Sequence, residues 1–378
     1  MMNLTLQIQL LPDPEQAALL KATMERFNEA ANWLAGVAFK HQLSNKFALQ
    51  RLCYSELRER FGLPADMAIR CISQVCEAFK RDKSIRPKFR KHAAVPYSIG
   101  KNISFKGPDK VSVGSLDKRV VVPFIMGAYQ AERFGWSKGQ CDLVLRDDGK
   151  WFLLVTVEVP DGTKTAATQF IGVDLGIVNI AVDDDGEKRT SAAIETKRVQ
   201  YATRRKRLGK ACRGAKRSKR RHCHKAIKRT KAKEARFRKD VNHQISKKLV
   251  AKAKGTGRGI AMEDLGGIND RLTVRKPQRA QFNAWAFDQL RAFIAYKAGL
   301  AGVMVEPIDP AYTSQTCAEC SHCERGNRKN QAEFKCRACG HQAHADQNSA
   351  RNLSFRASAA VNRRMGPERV EQGTLDLS

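Results

Sequence analysis

The chain lacks long hydrophobic runs and has few cysteines. No apolar stretch approaches the roughly 18–20 residues that a membrane span needs, so we expect no contact with a membrane. Eleven cysteines in 378 residues are too few for a secreted scaffold held by disulfides. The N-terminal residues alternate in polarity and do not form the basic and apolar regions of a secretory signal. These absences predict a cytoplasmic protein.

Acidic residues are also scarce, because 69 Lys and Arg face 38 Asp and Glu and leave a formal charge of +31. So large an excess is most simply neutralised by a polyphosphate, which predicts a nucleic-acid partner and a nucleoid-associated protein. Aromatic residues make up 7% of the chain, so base stacking is not expected to be the main binding device. The length and the 42% hydrophobic content allow two or three folded domains.

The first 160 residues combine β and α patterns. Leu4–Leu10 alternates apolar and polar residues, which predicts a half-buried strand. Asp13 and Pro14 form a helix start, and helical periodicity continues to Phe79 with a break near Gly62–Pro64. We expect a small β-barrel that includes the first strand and the β-rich runs Ile103–Phe105, Val111–Val113, Val120–Phe124, Cys141–Leu145 and Phe152–Val159.

After a predicted linker at Pro160–Ala167, strands and basic helices alternate. Lys197–Lys239 holds 21 Lys or Arg and one acid, Glu234. Its composition favours two long helices with a break near residues 209–214, although a charge run can also be a plain solvated face. Further elements are predicted as strands from Phe170, at Gly259–Glu263 and at Val303–Ile308, and as a helix at roughly Phe282–Ala298.

The strongest chemical signal is a pair of CxxC motifs, Cys317/Cys320 and Cys336/Cys339. Two such turns supply the four thiolates that tetrahedral Zn²⁺ prefers, and a closed set of four predicts a structural zinc site. Cys323 also completes a CxxC with Cys320. This cysteine and His322 therefore remain alternative ligands. The alternative is that these cysteines are scattered residues of the hydrophobic core that bind no metal.

Three carboxylates occur where an ordinary surface charge is unexpected. Asp174 interrupts an apolar strand, Glu263 ends another, and Asp346 stands at a helix start. Each alone could be a cap, but an RNase H-like layer would gather such a set around two Mg²⁺ or Mn²⁺ ions. Asp264 and the turn acids Asp183–Asp185 are second choices.

The motifs IGVDLGIVNIAV, GIAMEDL, YTSQTCAEC…CRACG and HADQNSARNL resemble, in this order, the RuvC segments and zinc ribbon of the transposon-encoded TnpB family. That family is similar to the type V CRISPR effector nucleases. The resemblance implies an α+β multidomain fold, with a β-barrel wedge domain, a helical recognition insert and an RNase H-like RuvC domain that contains an inserted zinc ribbon. The implied bounds are 1–10 and 83–160 for the wedge, 11–82 for the recognition lobe, 168–310 and 342–356 for RuvC with basic helices at 197–254, 311–341 for the ribbon, and 357–378 for a disordered tail.

Carried over residue by residue, the resemblance makes Asp174, Glu263 and Asp346 the catalytic magnesium ligands. It makes the four cysteines of the two knuckles the zinc ligands, and Arg328 a candidate contact to the scissile phosphate. Ser321 departs from the family's usual glycine. We further expect backbone contacts to nucleic acid from Arg204, Arg205, Arg207, Arg217, Arg220 and Arg221. For Phe282, Trp285 and Tyr312 we expect core positions, with contacts to bases as the alternative.

The function implied is RNA-guided cleavage of double-stranded DNA next to a short flanking motif, with a transposon-derived guide RNA. The metal-dependent reaction would hydrolyse phosphodiester bonds. Three alternatives remain: a compact type V CRISPR effector, a cleavage-silent RNA-guided repressor, and a zinc-ribbon nucleic-acid-binding protein without catalysis. Whether the chain acts as a monomer or a weak dimer stays open.

Overall fold

The computed structural model describes residues 1–264 and 287–365 and divides the chain into two compact units. The first unit is Met1–Pro160, and the second begins at Asp161. No helix within the described ranges is both long enough and apolar enough to cross a membrane.

The first unit is built on a sheet of seven strands in the order β2-β6-β7-β1-β5-β4-β3. The N-terminal strand β1 lies between β7 and β5 and is antiparallel to both, as predicted for a barrel that includes it. A bridge between Ile99 and Ile103 links the two outer strands, so the sheet is nearly closed. The strands are β1 (Met2–Leu10), β2 (Val95–Ser98), β3 (Ile103–Lys106), β4 (Lys110–Gly114), β5 (Arg119–Ile125), β6 (Ser137–Leu145) and β7 (Trp151–Val159).

Three helices follow β1: α1 (Pro14–Lys40), α2 (Lys46–Glu59) and α3 (Ala65–Phe79). α1 begins at a capping box in which Asp13 and Gln16 each accept a hydrogen bond from the other's backbone N–H. Between α2 and α3, Gly62 adopts a left-handed conformation (φ 64°), which explains the predicted break. The short helix α4 (Ala128–Phe134) was not predicted; it buries no side chain and so leaves no apolar pattern.

The second unit contains a five-stranded sheet in the order β10-β9-β8-β11-β12. β8, β9 and β10 are antiparallel neighbours, whereas β11 lies parallel to both β8 and β12. The carboxyl ends of β8 and β11 therefore lie at the same edge. The strands are β8 (Phe170–Asp174), β9 (Asn179–Asp183), β10 (Lys188–Thr190), β11 (Gly259–Glu263) and β12 (Val305–Ile308).

Helices cover both faces of this sheet, and alternate strand residues serve the two layers. On one face Ile171 and Val173 pack with residues of α6 (Arg217–Gly255) and α7 (Phe287–Ala301). On the other face Phe170 and Ala261 pack with the helix α8 (Ala345–Met365). The remaining elements are α5 (Ala192–Cys212) and the antiparallel hairpin of β13 (Glu333–Lys335) and β14 (Gln342–His344).

The structure corrects three predicted boundaries. The segment predicted as a tail from residue 357 is helical as far as Met365, because Ala357 and Val361 are buried against the sheet. The predicted linker is bound to the end of α7, since the Gly162 N–H donates to the Gly299 carbonyl at 2.9 Å. The break between the basic helices, at residues 213–216, overlaps the predicted 209–214 but begins later, because α5 continues to Cys212. Phe282 and Trp285 lie outside the described residues.

Candidate metal centres and basic helices

The four predicted knuckle cysteines come together, with all four Sγ atoms within 4.8 Å of one another. The Cys317–Cys339 and Cys320–Cys336 sulfur distances are 3.7 and 3.6 Å. A tetrahedron of thiolates about 2.3 Å from a zinc ion has edges of about 3.8 Å, so the spacing fits Zn²⁺. The alternatives Cys323 and His322 are outside this group, and the His322 ring lies 3.2 Å from the Glu324 carboxylate.

The two knuckles have the same backbone structure. In each, the first cysteine donates its N–H to the carbonyl five residues ahead, His322 or His341, at 2.9 Å. The residue four positions after that cysteine then takes a left-handed conformation: Ser321 has φ 61° and Gly340 has φ 76°. The departure from glycine at residue 321 therefore leaves a side chain in a conformation that glycine adopts without strain.

Backbone amides also prepare the second knuckle for a metal. The Cys339 N–H points at the Cys336 sulfur from 3.5 Å. This hydrogen bond is the main cause that lowers the pKa of the Cys336 thiol to about 6. A thiolate is the form that binds metal, so at Cys336 the geometry and the chemistry of the donor agree.

The three predicted carboxylates lie near one another at one edge of the second sheet. Asp174 ends β8 and Glu263 ends β11, and the paired residues Val173 and Met262 directly precede them on adjacent parallel strands. Asp346 is the second residue of α8, which packs on β8. The elements thus gather acids that are far apart in sequence.

Gly172 allows α8 to approach β8 this closely. A Cβ atom at residue 172 would lie 1.8 Å from the Ala350 carbonyl oxygen and 2.7 Å from the Ser354 nitrogen. Only a residue without a side chain fits there without moving the helix. This glycine in the middle of a strand therefore sets the position of Asp346, a role that its place in the motif did not indicate.

Burial and mutual repulsion dominate the electrostatics of this group. Burial, followed by the charges of Glu263 and Asp346, raises the pKa of Asp174 to about 8. Burial also raises the pKa of Glu263. Across the described ranges, no three carboxylates have oxygens that all lie within 4.8 Å of one another. Carboxylate oxygens are the hard donors that divalent cations such as Mg²⁺ prefer, so the chemistry of the three side chains fits such a site.

Two neutral side chains hold two of these carboxylates, and the sequence analysis missed both. The Asn179 amide donates to Asp346 Oδ2 at 2.9 Å, and the Thr313 hydroxyl donates to Glu263 Oε1 at 2.8 Å. Both residues lie within motifs that carry the resemblance, IGVDLGIVNIAV and YTSQTCAEC. Periodicity gives no sign, however, that a polar residue there contacts a carboxylate. Hydrogen bonds of this kind fix the orientation of carboxylates that bind metals.

Arg328 lies beside the carboxylate group. Its Nη2 is 3.4 Å from Asp346 Oδ1. The charge of the guanidinium also acts to lower the pKa values of Asp174 and Glu263, against the larger effect of burial. The positive charge of Arg328 therefore lies at the same edge of the sheet as the three carboxylates.

The acidic residues that were second choices as metal ligands form ion pairs with lysine or arginine side chains. Asp183 is fully buried, and its carboxylate is 2.7 Å from Lys252 Nζ. Arg258 binds Asp185 at 2.7 Å and lies 3.5 Å from Asp184. Asp264 is 3.2 Å from Arg291. The ion pairs of Lys252 and Arg258 fasten the β9–β10 turn to the end of α6, which is a structural role.

Most of the arginines predicted to contact nucleic acid are exposed to solvent. Arg205 is an exception, because it forms an ion pair with Glu234 that joins α5 to α6. The other five predicted arginines are exposed: Arg204, Arg207, Arg217, Arg220 and Arg221. The two helices therefore carry a row of exposed guanidinium groups.

Tyr312 corrects a prediction. We expected it in the core, but 65% of its surface is exposed. It lies in the loop after β12, where its backbone takes a left-handed conformation with φ 62°. The next residue, Thr313, donates to Glu263, so the loop that carries Tyr312 adjoins the carboxylate group.

Two regions of the chain match models of known protein families. Residues 153–265 match a family model described as "Probable transposase", and residues 287–353 match one described as "Cas12f1-like, TNB domain". The first region contains Asp174, Glu263 and the basic helices, and the second contains the cysteines and Asp346. The resemblance to the TnpB family and its CRISPR relatives is therefore confirmed.

Curated relatives agree with this assignment. The CRISPR-associated endodeoxyribonuclease Cas12f1 of Sulfoacidibacillus thermotolerans is 34% identical over 65% of this chain and 58% of its own. Cas12f1 of Syntrophomonas palmitatica is 29% identical over 54% of this chain and 43% of its own. A TnpB-like protein of Methanocaldococcus jannaschii is 39% identical over 19% of this chain and 27% of its own. The chain thus spans about half the length of the Cas12f1 relatives.

One solved structure shows the fold. The cryo-EM structure of a Cas12f1–sgRNA–target DNA complex matches with a TM-score of 0.64 at 17% identity, over 91% of this chain and 83% of that chain. The α+β fold with its nearly closed sheet is therefore similar to that of Cas12f1.

Proposed function

We propose that this chain is an RNA-guided DNA endonuclease of a transposon, which cleaves double-stranded DNA beside a short flanking motif. The observation that carries the proposal is the group formed by Asp174, Glu263 and Asp346, in regions that match a transposase family and a Cas12f1-like domain. A nuclease of this kind would work in the cytoplasm at the nucleoid.

The three carboxylates would hold two divalent cations, Mg²⁺ or Mn²⁺. Such a pair of ions activates the attacking water and stabilises the leaving 3′ oxygen of a phosphodiester. Thr313 keeps the Glu263 carboxylate oriented, and Asn179 does the same for Asp346. Arg328, which lies 3.4 Å from Asp346, would bind the scissile phosphate and balance the charge that develops on it.

The four knuckle cysteines would hold a structural zinc ion. Four thiolates leave no open position, so we assign no catalytic step to this site. The ribbon is tied to α8 near Asp346, because Asn348 donates to the Thr316 carbonyl at 2.8 Å and accepts from the Ala318 N–H at 3.0 Å. Folding of the ribbon around zinc would thereby support the carboxylate edge.

The basic helices would bind the backbone of the guide RNA paired with target DNA. Their five exposed arginines point to electrostatic contacts, which suit a duplex whose sequence is read by base pairing. The excess of 31 positive charges over the whole chain favours the same partners. The test is a loss of salt-dependent affinity when several of these arginines are replaced together.

A matched pair of variants tests the nuclease assignment. Glu263→Gln should abolish Mg²⁺-dependent cleavage of a target plasmid by the chain with its guide RNA. Asp264→Asn, at the next residue, should leave cleavage within a few-fold of the unmodified chain, because Asp264 is 60% exposed and pairs with Arg291. Equal loss in both variants would contradict the assignment.

A compact type V CRISPR effector is the second candidate, favoured by the identity to two CRISPR-associated endodeoxyribonucleases. The chemistry would be the same, and the source of the guide would differ. Sequencing the RNA that co-purifies with the chain expressed from its native locus distinguishes the two. A guide that ends in transposon-flanking sequence supports the first candidate, and one derived from a repeat array supports the second.

A further inference from the structure

Tyr312 combines two features that a residue kept for packing would not show. Its side chain is 65% exposed, whereas the core residue Tyr97 is fully buried. Its backbone has φ 62°, a conformation that is costly for a bulky residue and that glycine or asparagine adopts more readily. Strained residues of this type cluster at functional sites.

Hydrogen bonds hold the backbone of the loop around Tyr312. The Tyr312 carbonyl accepts hydrogen bonds from the N–H groups of Gln315 and Thr316, both at 3.0 Å, and from the Thr316 hydroxyl at 2.8 Å. Arg356 of α8 donates to the Ala311 carbonyl at 2.8 Å. The loop is therefore bound on both sides of the exposed tyrosine.

The surroundings of Tyr312 suit a nucleic-acid strand. The next residue, Thr313, donates to Glu263, so the loop adjoins the carboxylate group. Arg356 donates to the Ala311 carbonyl at 2.8 Å, and Arg328 Nη2 lies 3.4 Å from Asp346 Oδ1. The loop therefore offers an exposed ring to a base, and the two guanidinium groups can bind phosphates near the carboxylates.

We propose that Tyr312 is a stacking platform for an unpaired nucleobase of the DNA strand that enters the carboxylate site. The ligand is single-stranded DNA, since bases inside a duplex have no free face. Stacking on a ring tolerates any base, so the platform would hold the strand without selecting its sequence. The proposal deepens the nuclease assignment and rests on it.

Binding to a single-stranded oligodeoxynucleotide that contains 2-aminopurine tests this platform, because stacking quenches the fluorescence of that base. The full chain with its guide RNA would carry Asp174→Asn to prevent cleavage. Adding Tyr312→Ala should weaken binding roughly 5- to 100-fold and reduce the quenching, whereas Tyr312→Phe should retain both. Binding within two-fold of the parent and unchanged quenching in Tyr312→Ala would overturn the proposal.

Two further variants separate stacking from a structural role. Phe355→Ala removes an aromatic side chain that is 72% exposed, nine residues after Asp346 and hence about half a turn around α8 from it. This variant should bind like the parent. Tyr312→Gly should lose the affinity yet unfold at the same or a higher temperature, because it relieves the left-handed strain. A marked fall in its unfolding temperature would show that Tyr312 is structural and would also overturn the proposal.

Failure of the stacking proposal can be distinguished from failure of the nuclease assignment. Cleavage of a matched target plasmid by the unmodified chain tests the assignment by itself. If that cleavage occurs and Tyr312→Ala cleaves single-stranded DNA with unchanged KM and kcat, only the stacking proposal falls. If the unmodified chain never cleaves its matched target, the nuclease assignment falls, and the stacking proposal falls with it.

Discussion

Hydrogen bonds from Asn179 to Asp346 and from Thr313 to Glu263 orient two of the three carboxylates. The sequence predicted that acids of this kind would meet, because they occupy unusual places in strands and at a helix start. It did not indicate the neutral partners. Asparagine and threonine occur in many local contexts. Their role here is recognised only from the residues that they contact in the structure.

Replacing Asn179 with alanine should weaken divalent cation binding roughly 10- to 100-fold, since the Asp346 carboxylate loses the donor that orients it. Titration of the purified chain with Mn²⁺, followed by calorimetry, measures this effect without any need for cleavage. Asn362→Ala is a matched control, because Asn362 is exposed further along α8. Equal affinities in the two variants would contradict the positioning role.

The zinc knuckles provide a second residue-scale prediction. Ser321→Gly should stabilise the zinc-loaded chain by about 1 kcal/mol, because residue 321 adopts φ 61° and glycine carries no penalty there. Gly340→Ser, at the equivalent position of the other knuckle, should destabilise it by a similar amount. Thermal unfolding with excess Zn²⁺ compares the two. Stabilisation by both substitutions, or by neither, would contradict this explanation.

At the scale of elements, periodicity predicted most of the strands and long helices because each buries one face. The structure confirms that β1 joins the first sheet, where it lies between β5 and β7. The prediction failed where contacts between distant segments decide the structure. The segment after Pro160 resembled a linker because its pattern is polar, yet its backbone hydrogen-bonds to the end of α7. Such bonds leave no trace in side-chain patterns.

The contact between β8 and α8 can be tested through glycine. Gly172→Ala should destabilise the second unit by about 1–3 kcal/mol, because the added methyl group would overlap the Ala350 carbonyl and force α8 outward. Gly209→Ala is the control, since a Cβ at that position in α5 meets nothing within 4 Å and alanine favours a helix. Chemical denaturation should show opposite signs for the two variants. A stable Gly172→Ala chain would mean that α8 does not depend on this close approach.

The ion pairs between the β9–β10 turn and α6 predict a dependence on pH. Hydrogen bonds from Arg258 and Lys252 lower the pKa of Asp185 to about 2, below its ordinary value of 3.8. A lowered pKa stabilises the folded state above pH 4, and this contribution is lost as the pH falls towards 2. The difference in unfolding temperature between the unmodified chain and Asp185→Asn should therefore shrink between pH 5 and pH 2. A constant difference across that range would contradict the ion-pair account.

For the whole molecule, the charge of +31 indicates nucleic acid, and the order of the motifs indicates a family. The spacing of the cysteines predicted a cluster, and their four Sγ atoms do lie within 4.8 Å of one another. By contrast, the sequence assigned Tyr312 to the core, because a lone aromatic residue is usually buried. Its exposure follows from a strained loop, and the conformation of that loop depends on contacts with α8 that no local pattern encodes.

The central claim is that RNA directs this chain to cut DNA, and one measurement tests it most directly. The variable end of the co-purifying RNA would be replaced by a sequence that matches a chosen plasmid site, and cleavage would be mapped in the presence of Mg²⁺. The account predicts that the cut moves to the new site, requires a particular flanking sequence and disappears in Asp174→Asn. A cut that does not follow the guide, or one that persists in Asp174→Asn, would contradict it.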